Sequence, residues 1–228
     1  MNNDLLRMED LVNNPTARVP VCLCLDVSGS MNGEPIRELN EGVRLFYNAI
    51  QEDEAALYAA EVCIVTFGGN GACCIADFSN LERQSNAPTL DASGTTPMGE
   101  AVNLGLDLLE KRKNEYKSKG VDYYQPWLVL MTDGAPNGDY DELSRAIKRT
   151  AEMANQKKLS VFPIGIGNDA DMEVLARFSP KRNPLKLKGL KFREFFEWLS
   201  QSVSQTSQSI PGEIVPLDTD KIKGWASL

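Results

Sequence analysis

Residues 19–33 read VPVCLCLDVSGSMNG, and this stretch decides the fold. The run from Val19 to Val27 is apolar except for Asp26 at its far end. A short apolar run bounded by turn residues reads as a strand buried on both faces, the kind found in parallel sheets. Residues 28–33 are small and polar and predict a loop. Pro35 then suits the first turn of a helix. Ile36, Leu39, Val43, Phe46, Tyr47 and Ile50 follow at helical spacing as one apolar stripe.

The same strand–loop–helix unit recurs along the chain. Residues 61–67 read as a second buried strand. Gly68-Gly69-Asn70-Gly71 is a hairpin signal that predicts an antiparallel return over 72–78. A loop spans 81–93. Pro97 opens a helix that is apolar nearly all round, from Met98 to Leu109, and 111–120 reads as its charged end and a loop. Strands are predicted at 127–132 and 159–166. Leu143, Ala146, Ile147, Thr150 and Met153 mark the helix between them, and a short helix follows at 170–178. Leu185 and Leu187, alternating with Lys186 and Lys188, predict an edge strand guarded by lysines. Phe192, Phe195, Phe196, Leu199 and Val203 make a last amphipathic helix.

Strands alternating with helices imply an α/β, Rossmann-like doubly wound fold. Its central sheet is mainly parallel, with one antiparallel edge strand and helices on both faces. The expected organisation is a polar leader over 1–18, one domain over 19–207 and a tail over 208–228. Trp225 is free to anchor that tail on the domain or on a partner.

The chain has 228 residues, enough to bury roughly 70% of its unfolded surface without a staple. It contains no histidine, which excludes imidazole bases and histidine-bearing zinc sites. Its net charge of -8 opposes binding to nucleic-acid backbones. No apolar run is long enough for a membrane helix and no signal-peptide core is present, so membrane insertion is not expected and a cytoplasmic protein is. Cys22, Cys24, Cys63, Cys73 and Cys74 fall in strand-like stretches and read as free, buried thiols; their spacing matches no common zinc pattern.

Ligands of open α/β sheets bind at the carboxyl ends of the strands. Three polar segments are predicted there: Asp26-Val27-Ser28-Gly29-Ser30, Gly94-Thr95-Thr96-Pro97 and Thr132-Asp133-Gly134. Two carboxylates with several hydroxyls form a hard oxygen set, suited to Mg²⁺, with Mn²⁺ or Ca²⁺ as alternatives. Acids placed together without a counter-ion shift each other's pKa upward. Capping of loops and helices is the rival explanation for each residue taken singly.

Taken in order, these segments resemble the metal-ion-dependent adhesion site of von Willebrand factor type A domains. The resemblance covers roughly residues 19–205. It implies direct metal ligation by Ser28, Ser30 and Thr96, and participation of Asp26 and Asp133, often through water. It implies further that an Asp or Glu of a partner protein fills an open position on the metal. Ser28-Gly29-Ser30-Met31, Gly33-Glu34-Pro35-Ile36 and residues 93–97 are similar to the bacterial TerY-like branch associated with tellurite resistance and stress. That branch implies an intracellular adaptor, not an enzyme, working beside a kinase, a phosphatase or a Ter-type protein.

Other readings compete. Two acids and a divalent ion could activate water in a hydrolase or phosphatase, but no catalytic base or Walker loop accompanies them. A structural scaffold with a vestigial site is another. Gly165-x-Gly167-x-x-Ala170 matches a dinucleotide fingerprint, yet Lys186 and Lys188 stand where the ribose-binding acid belongs. The basic stretch from Lys181 to Arg193 reads as a solvated edge or an acid-docking surface.

Overall fold

The computed structural model describes residues 11–69, 71–82, 86–211 and 221–227. Residues 1–10 of the expected leader, Asn70 of the expected turn, 83–85 of the loop, and 212–220 and 228 of the tail lie outside them. The strands are β1 (Val19–Val27), β2 (Ala60–Gly68), β3 (Gly71–Asn80), β4 (Trp127–Thr132), β5 (Ser160–Ile166), β6 (Leu185–Leu187) and β7 (Ala226–Ser227). The helices are α1 (Glu34–Glu52), α2 (Glu54–Ala59), α3 (Met98–Lys119), α4 (Tyr140–Asn155), α5 (Met172–Phe178) and α6 (Phe192–Ser207).

One sheet runs in the order β3-β2-β1-β4-β5-β6-β7. Its five inner strands are parallel and β3 returns antiparallel to β2, as the sequence predicts. The alternation of β1 sorts its side chains between two cores. Val19, Val21, Leu23 and Leu25 join α1 and α6 on one face. Cys22 and Cys24 point to the other, under α3. Gly42 lets α1 and α6 close up, since a Cβ there would stand 2.5 Å from the Phe196 ring.

Three expectations change. The strand at Leu185–Leu187 is not an edge: β7, from the tail, pairs antiparallel along it. Burial of aromatic surface drives this. Trp225 is buried, with its ring centroid 6.0 Å from those of Phe195 and Trp198, so the tail anchors on the domain and brings β7 to the sheet. The charged stretch over 111–120, expected as a helix end and a loop, is helix almost throughout. α3 runs to Lys119 and stops where Gly120 takes a left-handed conformation at φ 66°. Of the cysteines, Cys22, Cys24 and Cys63 are buried, whereas Cys73 is exposed and Cys74 half-buried, because β3 is an outer strand.

The end of the expected leader is part of the core. Leu11 is buried, and Arg18 is 0% exposed. Its Nε donates to Glu61 Oε1 at 3.2 Å. Arg112 donates to both oxygens of the same carboxylate, at 2.6 and 2.8 Å, and Tyr116 adds its hydroxyl at 2.6 Å. Burial works against the charge on Arg112, but hydrogen bonding and attraction from Glu61 carry its pKa upward. This network ties α3 to the amino-terminal half of β2 and to the residue before β1. Removing one member strands buried charge. Glu61→Ala is therefore expected to destabilise the protein by about 3–5 kcal/mol, read from urea unfolding midpoints.

Candidate metal centre

β1 delivers Asp26 to the carboxyl edge of the sheet with its side chain fully buried. The chain then turns. Ser28 N–H donates to Asp26 Oδ1 at 2.8 Å, and residues 29–31 form a short 3-10 turn. This turn places the Ser28 and Ser30 hydroxyl oxygens 3.1 Å apart. β4 arrives beside β1 and supplies two more groups. Thr132 Oγ1 donates to Asp26 Oδ2 at 2.5 Å, and Asp133 Oδ1 accepts from Ser30 Oγ at 2.7 Å. Asp26, Ser28, Ser30 and Asp133 thus form one continuous hydrogen-bonded group.

Thr96 is held on the neighbouring loop by backbone ties. Gly29 N–H donates to the Gly94 carbonyl at 3.0 Å, and Ser93 N–H to the Val27 carbonyl at 2.8 Å. Gly94 has φ +73°, and a Cβ there would lie 2.4 Å from Gly69 Cα, so only glycine fits. On its other side Thr96 N–H donates to Asn137 Oδ1 at 2.6 Å, and Asn137 N–H returns a bond to the Thr96 carbonyl at 3.2 Å. The three loops are joined pairwise. Thr96 is buried and Thr95 exposed, which distinguishes the two candidates. The Thr96 hydroxyl makes no hydrogen bond among the described residues. α3 begins at Met98, so the positive end of its dipole lies close to this rim.

The donors grade from floor to mouth. Asp26, Ser28 and Thr96 are buried, Asp133 is half-buried and Ser30 is exposed. Burial pushes the Asp26 carboxyl above its ordinary value, hydrogen bonds from Ser28 and Thr132 partly offset this, and repulsion from Asp133 adds to it. No lysine or arginine pairs with either aspartate among the described residues. Glu61 is the contrast, a buried acid matched by two guanidiniums. Two acids with hydroxyl neighbours and no cationic side chain fit a hard divalent cation.

Sequence reasoning left the supports unassigned. Thr132 orients Asp26, and Asn137 staples Thr96. Glu100 Oε1 accepts from Asp139 N–H at 3.0 Å and braces the same loop. The Asn137 and Glu100 contacts span 41 and 39 residues, and no local pattern announces them. The dinucleotide fingerprint becomes packing: a Cβ on Gly165 would meet Met172 Sδ at 2.4 Å, and Asp171 caps the seven-residue α5. The basic stretch is largely engaged. Arg182 lies 4.0 Å over the Phe162 ring, and Lys191 and Arg193 pair with Glu194 and Glu197.

Comparison with known proteins agrees with this geometry. The chain is 27% identical over 157 residues to a von Willebrand factor A domain-containing protein of Dictyostelium discoideum, covering 68% of this chain and 16% of that one. It is 29% identical over 166 residues to an uncharacterized protein of Synechocystis, covering 69% of this chain and 35% of that one. The chain therefore spans about a third or less of these relatives. Among solved structures, a von Willebrand factor type A protein from Catenulispora acidiphila superposes with TM-score 0.61 at 17% identity, over 83% of this chain and 43% of its own. The von Willebrand factor domain of the pilus tip protein Mfa5 from Porphyromonas gingivalis gives 0.60 at 12% identity, over 88% and 99%. The family model for the von Willebrand factor type A domain matches residues 21–194, from inside β1 into α6. On that match, which takes in all three loops of the rim, the chain belongs to the von Willebrand factor type A domain family.

Proposed function

We propose that this chain is a divalent-metal-dependent protein-interaction module. Domains of the family often mediate protein–protein interaction or adhesion, and some depend on metal. The supporting observation is the closed triangle of loops, which gathers two unpaired aspartates with the hydroxyls of Ser28 and Ser30 and holds Thr96 alongside. Asp26, Ser28, Ser30, Thr96 and Asp133 would hold the ion, Mg²⁺ first among the hard cations. The bound ion supplies positive charge for an incoming carboxylate. The exposed mouth at Ser30 and the dipole of α3 favour the same kind of ligand, an Asp or Glu of a partner protein. A neutral Asn or Gln lacks the charge that this site rewards.

Binding rather than catalysis is the reading because the rim's hydroxyl–carboxylate contact, Ser30 on Asp133, lies within the proposed ligand set, where a bound cation would take up both oxygens, and the chain has no histidine to serve as a base. A cavity of about 670 Å³ does exist, but it lies at the opposite, amino-terminal ends of β4 and β5, where Lys113, Lys158 and Arg182 line it. A TerY-like cytoplasmic adaptor role, beside a kinase, a phosphatase or a Ter-type protein in tellurite or stress defence, is the physiological form of the proposal. It rests on the sequence similarity at residues 28–36 and 93–97.

Affinity capture from cell extract in Mg²⁺ and in EDTA tests the module. Partners are expected in Mg²⁺ and not in EDTA, and an Asp26→Ala, Ser28→Ala double variant is expected to capture none. Equal recovery in chelator overturns the bridging mechanism. Thr132→Val, which leaves every proposed ligand in place, is expected to weaken Mg²⁺ binding about 10- to 100-fold, measured by calorimetry.

The pH dependence has a definite sign. The ion needs Asp26 ionised, and Asp26 is raised above its ordinary 3.8. Affinity should therefore decline at higher pH than an unperturbed aspartate dictates. In the cation-free protein, Asp26 binds a proton more readily folded than unfolded. Its contribution to stability therefore grows as pH falls through the raised value. Mg²⁺ titrations of the parent chain, and the difference in urea melts between the parent and Asp26→Asn, are expected to show these opposite trends between about pH 4 and about pH 7.

A further inference from the structure

A second cluster of metal-ligating groups lies away from the strand-end rim, and an irregularity in β3 creates it. Opposite β2, the pairing steps from Val62↔Ser79 to Ile64↔Ala76 and then to Val65↔Cys74. Twice β3 uses one more residue than β2. On a regular strand Cys74 and Ala76, two apart, share a face, and Cys74 and Asp77, three apart, do not. Here Ala76 packs with one core and Cys74 with the other, so the pleat has been reset between them. The Sγ of Cys74 and a carboxylate oxygen of Asp77 consequently meet the Sγ of Cys63 from β2, all within 4.8 Å of one another. Bulges of this kind re-aim side chains.

We propose that Cys63, Cys74 and Asp77 form a site for a thiophilic divalent cation, zinc being the type. Two sulfurs and one carboxylate oxygen are three of the four donors that a tetrahedral zinc ion takes, and water completes the set. Softness separates this site from the oxygen-only rim, which suits magnesium. Access fits as well. Cys63 is buried, whereas Cys74 and Asp77 are half-buried on an outer strand, so the cluster opens to solvent on one side. Cys22, the cross-strand partner of Cys63 in β1, lies behind it and closes the inner side.

The balance of the step is simple. A cysteine thiol is mostly protonated at neutral pH, so Cys63 and Cys74 both carry protons in the cation-free protein. Binding exchanges those two S–H protons for two metal–sulfur bonds and releases the protons to solvent, while the ion keeps its +2 state. No oxidant or reductant is involved. Affinity therefore rises with pH, by up to about two protons per ion.

Cobalt(II) is the probe, because thiolate coordination gives it near-ultraviolet charge-transfer and visible absorption bands. The reduced, metal-free full chain is titrated with Co²⁺ in excess Mg²⁺, then with Zn²⁺. The expected result is saturation at one Co²⁺ per chain with thiolate charge-transfer absorption, and loss of the bands on adding Zn²⁺. Cys74→Ser and Asp77→Asn are expected to weaken Co²⁺ binding about 10-fold or more, with circular dichroism melts confirming folded protein. Cys73→Ser, at the exposed neighbour, and Asp133→Ala, at the strand-end rim, are expected to leave the bands unchanged. Absence of charge-transfer absorption in the parent chain overturns the proposal, as do unaltered bands in folded Cys74→Ser and Asp77→Asn. Loss of Mg²⁺ binding in Asp133→Ala, with the Co²⁺ bands intact, shows that the two sites stand independently.

Discussion

The structure depends on a strand with no solvent-facing side. Every residue of β1 is buried, between β2 and β4 in the sheet and between two helical layers across it. Polar chemistry has no place along such a strand except at its ends. The amino-terminal end is closed by Arg18, bound to Glu61. The carboxyl end releases Asp26 and the serine loop. Because β1 and β4 are parallel neighbours, Asp26 and Asp133 leave the sheet at the same edge, and the loops have only to be tied together there.

Two buried carboxylates, Glu61 and Asp26, show what a counter-charge does. Both are fully buried. Glu61 meets Arg18, Arg112 and Tyr116, which satisfy its oxygens from several sides and turn it into a structural clamp. Asp26 meets an amide and a hydroxyl, and its neighbouring charge is another acid. Burying an acid without positive charge is costly. A chain with a net charge of -8 concentrates two of its negative groups at one point, and an exogenous cation is the natural way to balance them. The same cation gives an acidic protein a local attraction for acidic partners.

Outer strands behave differently from β1. β3 pairs with a neighbouring strand along one edge only, so its register tolerates insertions that would empty the core if placed in β1 or β4. The two slips opposite Val62 to Val65 re-aim Cys74 and Asp77 without disturbing β1. At the opposite edge, β7 covers β6, held by Trp225 against Phe195 and Trp198. One edge is thus capped by the tail, while the other carries irregular chemistry.

Apart from α2 and β7, the alternation of strands and helices and the parallel core were legible along residues 19–203, and the three oxygen-bearing loops in residues 26–30, 94–97 and 132–134, because each signal is local. A strand buried on both faces is uniformly apolar, a helix repeats its stripe, and small polar residues mark the turn between them. The partners of those residues were not legible. Thr132 on Asp26, Asn137 on Thr96, Arg18 on Glu61 and Trp225 on α6 join positions far apart in the chain, and hydrogen bonds between distant loops leave no periodic trace. Five cysteines read as separate small apolar residues until a change of register in β3 set two of them beside Asp77. Sequence determines which faces are apolar and where the chain turns; only folding decides which side chains meet, because that depends on strand order and register.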